Sequence, residues 1–125
     1  MWEVFKFGGT SITKDGFNKI IKIIENRENK IVIVLSAIHN VTNLLYQLSE
    51  NRCNILFNEI KTIHLNFSNE LKIKKIRIND KLNDLKKIIE TSNSKVEEII
   101  AYGEILSTTI LNEYLKLNTF LIDSR

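Results

Sequence analysis

Lys6-Phe7-Gly8-Gly9-Thr10-Ser11 follows directly on Trp2 to Phe5, and the reading of these ten residues decides the fold. Apolar side chains at Trp2, Val4, Phe5 and Phe7 predict a strand. Two consecutive glycines then allow a sharp turn and a close backbone approach to a ligand, with no Cβ in the way. Thr10 and Ser11 are good helix N-caps, and a helical pattern begins a few residues later. A strand, a glycine turn and a helix start together aim unpaired N–H groups at one spot, which suits an anion. Lys6 adds a positive charge at its edge. No Gly-Lys-Ser/Thr follows, which excludes a Walker A loop, and a third glycine is lacking for a dinucleotide fingerprint. An ordinary tight turn uses the same glycines, so the anion reading needs support from elsewhere in the chain.

That support comes from the next elements. Phe17, Ile20, Ile21 and Ile24 recur at helical spacing, and the polar stretch 26–30 ends the helix. Ile31-Val32-Ile33-Val34-Leu35 is a β-branched run expected to be a strand buried on both faces, as in a parallel sheet. Strand, helix and strand in this order form a right-handed βαβ unit. Ligands in such sheets sit beyond the carboxyl ends of the strands. There Lys6 to Ser11 meets Ser36-Ala37. A polar loop through His39 leads to a further helix, with Thr42 or Asn43 as its expected cap. His39 has no carboxylate partner in view and reads as a solvated loop residue.

Residues 54–95 read as helical throughout. One apolar stripe runs through Ile55, Leu56, Ile60, Ile63 and Phe67, and another through Ile78, Leu82, Leu85, Ile88 and Ile89. The lysines and Arg77 among them, interrupted by Asp80 and Asp84, read as a solvated face and not as a nucleic-acid surface. His64, beside the first stripe, reads as structural. Val96 to Leu115 continues helical, with Gly103 at a position costing about 1 kcal/mol relative to alanine. A glycine there implies close packing against it or a helix entered there. Glu104 lies among apolar and small residues, where a carboxylate requires a cationic partner from the protein or from a ligand. Thr119 to Asp123 is expected to be a third strand.

The composition frames these motifs. The chain has 125 residues, 43% hydrophobic and 26% charged, with a net charge of +3 and no proline. These values suit one soluble domain or part of a larger one, and the charge is too mild to imply nucleic acid. Cys53, the lone cysteine, excludes an intramolecular disulfide and points to a reducing compartment. With no leader or membrane-spanning run in view, a cytoplasmic location is expected.

Four stretches in one order carry a family resemblance. Lys-Phe-Gly-Gly-Thr-Ser at 6–11, Val-Leu-Ser-Ala at 34–37 with Val-Thr-Asn at 41–43, Gly-Glu-Ile-Leu-Ser at 103–107 and the closing Leu-Ile-Asp-Ser-Arg resemble the aspartokinases. The resemblance covers the whole chain but only the amino-terminal lobe of that family's catalytic domain. It implies an α/β fold, the parallel-sheet three-layer αβα arrangement of the amino acid kinase (carbamate kinase-like) type, with a helical insertion at about 54–95. It implies transfer of the γ-phosphoryl group of ATP to the β-carboxylate of L-aspartate, the step that opens lysine, threonine and methionine biosynthesis. By that resemblance Lys6 is the catalytic cation, and Lys6, Gly8, Gly9, Thr10 and Ser11 hold phosphate. Ser36, Ala37, Thr42 and Glu104 bind aspartate, with Glu104 on its α-ammonium, while Ser107 supports the same pocket or back-bonds to its own helix.

The ATP-binding lobe, the Mg2+ ligands and the ACT regulatory domains of the family have no counterpart in residues 1–125, so the chain alone is expected to be inactive. Homo-oligomers are expected of a full-length form, and neither nucleic acid nor membrane is an expected partner. A non-catalytic aspartate-binding or interaction lobe, or a kinase of another amino acid, are the alternatives.

Overall fold

Strands β1 (Trp2–Phe7) and β2 (Lys30–Leu35) pair in parallel, from Trp2 opposite Lys30 to Phe7 opposite Leu35. The computed structural model describes residues 2–26 and 30–118. Helix α1 (Lys14–Glu25) lies between the strands in sequence, so both strands end at the same edge. The expected third strand at 119–123 falls outside the described residues. Five helices follow: α2 (Val41–Glu50), α3 (Asn54–Leu71), α4 (Ile76–Glu90), α5 (Val96–Ile100) and α6 (Tyr102–Leu117).

Helix α1 starts later than its sequence suggests. Residues Gly9–Ser11 form a single 3₁₀ turn, and the cap of α1 is Thr13, whose Oγ1 accepts from the Gly16 amide at 3.0 Å. Thr10 and Ser11 are therefore part of the turn and do not cap the helix. Gly16 lets the turn lie against the helix, since a methyl there would stand 1.8 Å from the Ser11 carbonyl oxygen. Helix α2, by contrast, begins before its expected cap at Thr42 or Asn43. Its cap is Asn40, in the left-handed region at φ 71°, which asparagine tolerates better than most residues.

The helices cover one face of the sheet. Phe7 and Ile33 pack against the core from that face, and Leu35 is buried in it. The other face carries Trp2, Val4, Val32 and Val34, exposed by 61, 57, 38 and 41%, with Lys30 Nζ 5.2 Å from the centre of the Trp2 ring. β2 is thus buried on one face and not on both. A β-branched run records that a strand is flanked, but not which chain segment supplies the flank.

Phe17 fastens the helical layer. It is fully buried, with ring centres 5.3 Å from Phe67 and 6.1 Å from Tyr114, so it joins α1, α3 and α6. Burial of such a side chain stabilises by about 1.5–3 kcal/mol. The Tyr114 hydroxyl donates to Asn18 Oδ1 on α1. The stretch 54–95 is helical except for the turns at 72–75 and beyond Glu90. Lys72 ends α3 in the left-handed conformation usually taken by glycine, so no glycine or proline announces the break. Phe57 is buried where Ile55 was expected, and Ile55 is 79% exposed. Arg52 staples the α2–α3 junction to the turn after α4, donating to Thr91 O at 2.6 Å, Ser94 Oγ at 2.8 Å and Ser94 O at 2.9 Å.

His64 is structural, as its position beside the apolar stripe implies. It is fully buried, its Nδ1–H donates to Ile60 O at 2.7 Å, and Nε2 has no hydrogen-bond partner among the described residues. Burial lowers its pKa, and the bond to Ile60 opposes that shift only in part. A lowered folded-state value means the unfolded chain takes up the proton first as pH falls. His64 therefore leaves stability intact above the ordinary value near 6.5 and erodes it progressively below. We expect the urea midpoint of the wild type to fall more steeply between pH 7 and 5 than that of His64→Leu. Parallel curves for the two proteins would contradict a buried neutral imidazole.

Candidate active site

Three segments meet where the strands end. The first is the glycine turn. Gly8 continues the extended chain of β1, and the 3₁₀ turn is closed by Ser11 N donating to Gly8 O at 2.9 Å and Ile12 N to Gly9 O at 3.3 Å. The opening amides of such a turn, those of Gly9 and Thr10, have no partner within it.

The second segment leaves β2. The Ser36 amide donates to Phe7 O at 3.0 Å, which holds the start of this loop alongside the glycine turn. Ser36 Oγ donates to Ala37 O at 3.1 Å. Ala37 is buried, and its carbonyl oxygen lies 3.1 Å from where a Cβ on Gly9 would be. The loop then turns through His39 and Asn40 into α2, whose first turn exposes Thr42.

The third segment is the start of α6. A Cβ on Gly103 would stand 2.6 Å from Ala37 Cβ and 3.3 Å from Leu45 Cδ1. The glycine thus marks both a close approach and a helix entry, the two readings its sequence position allowed. Glu104 comes next, in the first turn of α6, where a negative charge is favoured by the helix dipole. It is exposed and makes no ion pair among the described residues. The expected burial of its carboxylate is therefore not found. The buried stripe of α6 runs through Gly103, Leu106, Ser107, Ile110, Leu111 and Tyr114, and the helical turn from Gly103 to Glu104 carries the carboxylate off it.

The structure accordingly brings together the backbone of Gly9, the Ser36-Ala37 loop and the Gly103-Glu104 turn. Lys6 lies opposite Val34, one residue before β1 ends, and its exposed side chain stands on the uncovered face with Trp2 and Val4. Gly8 and Thr10 are exposed, and Ser11 is half-buried. His39 is exposed, with no hydrogen-bond partner for its ring among the described residues. A cavity of about 350 Å³ adjoins this loop, lined by His39, Asn43, Gln47 and Glu59 among others.

Two larger hollows, about 470 and 690 Å³, lie elsewhere and share Arg77, Glu113 and Lys116. Glu113 is buried there and paired with Lys116 at 2.9 Å and Arg77 at 3.7 Å, an arrangement no sequence motif signals. Among the described residues no group of three or more His, Cys, Asp or Glu is placed to hold a metal ion, and no helix is long and apolar enough to cross a membrane.

The model of the amino acid kinase family matches residues 1–123. The chain is 29% identical to lysine-sensitive aspartokinase 3 of Escherichia coli (strain K12), over 90% of this chain and 28% of that protein. Crystal structures of E. coli aspartokinase III, one in complex with aspartate and ADP (R-state) and one with lysine and aspartate (T-state), superpose with TM-scores of 0.75 and 0.74. Both are 27% identical over 90% of this chain and 28% of theirs. Clostridium acetobutylicum aspartate kinase gives a TM-score of 0.78 at 28% identity, over 90% of this chain and 29% of that one. The resemblance read in the four motifs and the α/β fold it implied both hold. The chain spans little more than a quarter of the length of these relatives.

The contact between Gly103 and Ala37 has a measurable consequence. Gly103→Ala gains about 1 kcal/mol of helix propensity and loses about 1–3 kcal/mol to overpacking, because two methyl carbons would meet at 2.6 Å. We expect a lower urea midpoint for Gly103→Ala and recovery when Ala37→Gly is added. Equal midpoints for wild type and Gly103→Ala would contradict the contact.

Proposed function

The chain belongs to the amino acid kinase family, and from that premise we propose that it forms the aspartate-binding lobe of an aspartate kinase. In the reaction an oxygen of the aspartate β-carboxylate attacks the γ-phosphorus of ATP, the bond to the bridging oxygen breaks, and 4-phospho-L-aspartate and ADP result. Such a transfer requires alignment and charge neutralisation more than covalent participation by the protein. Lys6 supplies an ammonium group beside the transferring phosphoryl group. The amides of Gly8 and Gly9 stabilise the same anion, with the Thr10 and Ser11 hydroxyls at its margin. Ser36, Ala37 and Thr42 offer hydroxyl and amide donors to the carboxylates of aspartate, and Glu104 accepts its α-ammonium.

What supports this reading most is the meeting of Gly9, Ala37 and Gly103, which draws three motif segments to one edge of the sheet. Glu104 stands in that turn, exposed and without an ion pair among the described residues, so its carboxylate is open to a cation on a ligand. Mg2+ accompanies ATP in this proposal and would neutralise phosphate charge. Its ligands and the nucleotide site are assigned, by the family resemblance alone, to the ATP-binding lobe of the aspartokinases. The pathway position, a cytoplasmic location and homo-oligomers of the complete kinase follow from the same reading. The second reading is an aspartate-binding lobe without kinase activity of its own, which the meeting of Gly9, Ala37 and Gly103 serves equally.

Succinate shares the two carboxylates of aspartate and lacks its ammonium group. Calorimetry on the chain is expected to show L-aspartate bound more tightly than succinate. Glu104→Gln should lower aspartate affinity about tenfold, the scale of one charge-assisted hydrogen bond, and leave succinate affinity unchanged. Unaltered aspartate affinity in Glu104→Gln would refute the assignment. Turnover of ATP and aspartate on adding the remaining lobe separates the kinase from the binding lobe.

A further inference from the structure

Ser107 is buried in α6, and its hydroxyl leaves its own helix. Oγ lies 2.7 Å from the carbonyl oxygen of Ser36, 71 positions away in the chain, and 3.2 Å from Glu104 O. A serine hydroxyl has one hydrogen to donate, and the shorter contact takes it. Other helix hydroxyls here behave differently: Ser68 and Thr109 donate to the carbonyl four residues earlier, on their own helix. Such back-bonding is the common fate of a serine or threonine inside a helix.

The acceptor matters as much as the donor. Ser36 has just left β2, and its amide is bonded to Phe7 O of β1. Its carbonyl, bonded to Ser107, ties the same residue to α6. One peptide segment is thus held from both sides, by β1 at its N–H and by α6 at its C=O. Ala37, next in sequence, fills the space left by Gly103 on that helix. A steric contact and a hydrogen bond therefore fix the same loop to the same turn, and that turn carries Glu104.

We infer that Ser107 is a positioning residue for aspartate binding: its hydroxyl holds the Ser36-Ala37 loop at a set spacing from Glu104, so that carboxylate and ammonium recognition act on one small zwitterion. The inference rests on the aspartate reading given above. Ser107 does not touch the ligand. Without its hydroxyl the loop keeps its bond to β1 and the Ala37–Gly103 contact but loses its hydrogen bond to α6.

The test compares wild type, Ser107→Ala and Thr109→Ala by L-aspartate calorimetry and by amide hydrogen exchange at Ser36. Thr109→Ala removes a hydroxyl from the same helix that bonds only to that helix. Ser107→Ala is expected to weaken aspartate binding about tenfold and to speed exchange at Ser36, whereas Thr109→Ala leaves both as in wild type. Ser107→Cys keeps the volume with a weaker donor and should fall between, which also serves if the alanine variant folds poorly. Wild-type affinity and exchange in both Ser107 variants would overturn the inference while leaving the role of Glu104 standing. Unchanged aspartate affinity in Glu104→Gln alongside faster Ser36 exchange in Ser107→Ala would overturn the aspartate reading instead, and the role in binding with it.

Discussion

Ala37 sits between two glycines, and the arrangement of the molecule depends on that contact. Gly9 approaches its carbonyl from the β1 side, and Gly103 approaches its methyl from α6. Neither approach leaves comfortable room for a side chain on the glycine, so the sequence must keep both positions bare for the three segments to meet. The strands set the height of the contact by ending opposite each other at Phe7 and Leu35. The helices set its depth, because Phe17 holds α1, α3 and α6 in one layer against the sheet. Local turn chemistry, sheet register and helix packing thus act on one point, and the groups able to bind a charged ligand are carried at its margin.

The uncovered face of the sheet gives the site its context. Trp2, Val4, Val32 and Val34 form an apolar surface on the side away from the helices, and Lys6 emerges from it near the strand end. Two parallel strands covered by helices on one face supply two layers of a three-layer arrangement. In a kinase built on this fold, the third layer and the nucleotide site would approach from elsewhere, so that the phosphoryl donor meets the acceptor above the strand ends.

Much of this was legible in the residues. The β1 strand, the glycine turn, α1 and β2 follow from alternation and periodicity, and Gly103 announced a close approach because a glycine inside an apolar helix stripe has a cost that something must offset. The caps were misplaced because Thr10, Ser11 and Thr42 have the right chemistry for a cap but neighbour residues, Thr13 and Asn40, with the right backbone conformation. Glu104 is exposed although apolar and small residues flank it in sequence, because neighbours in sequence do not share a helix face. Pairs remote in sequence left no local trace. Arg52 with Ser94, Glu113 with Arg77 and Ser107 with Ser36 are each set by packing, and only coordinates reveal them.

If the three segments form one ligand site at the strand ends, amide chemical shifts followed during titration with L-aspartate will show it. Gly9, Ala37 and Gly103 are expected to respond along a single saturation curve with a common dissociation constant. Response confined to one of these segments, or centred on Lys81, Asn112 and Lys116 in the hollow beside α6, would contradict it.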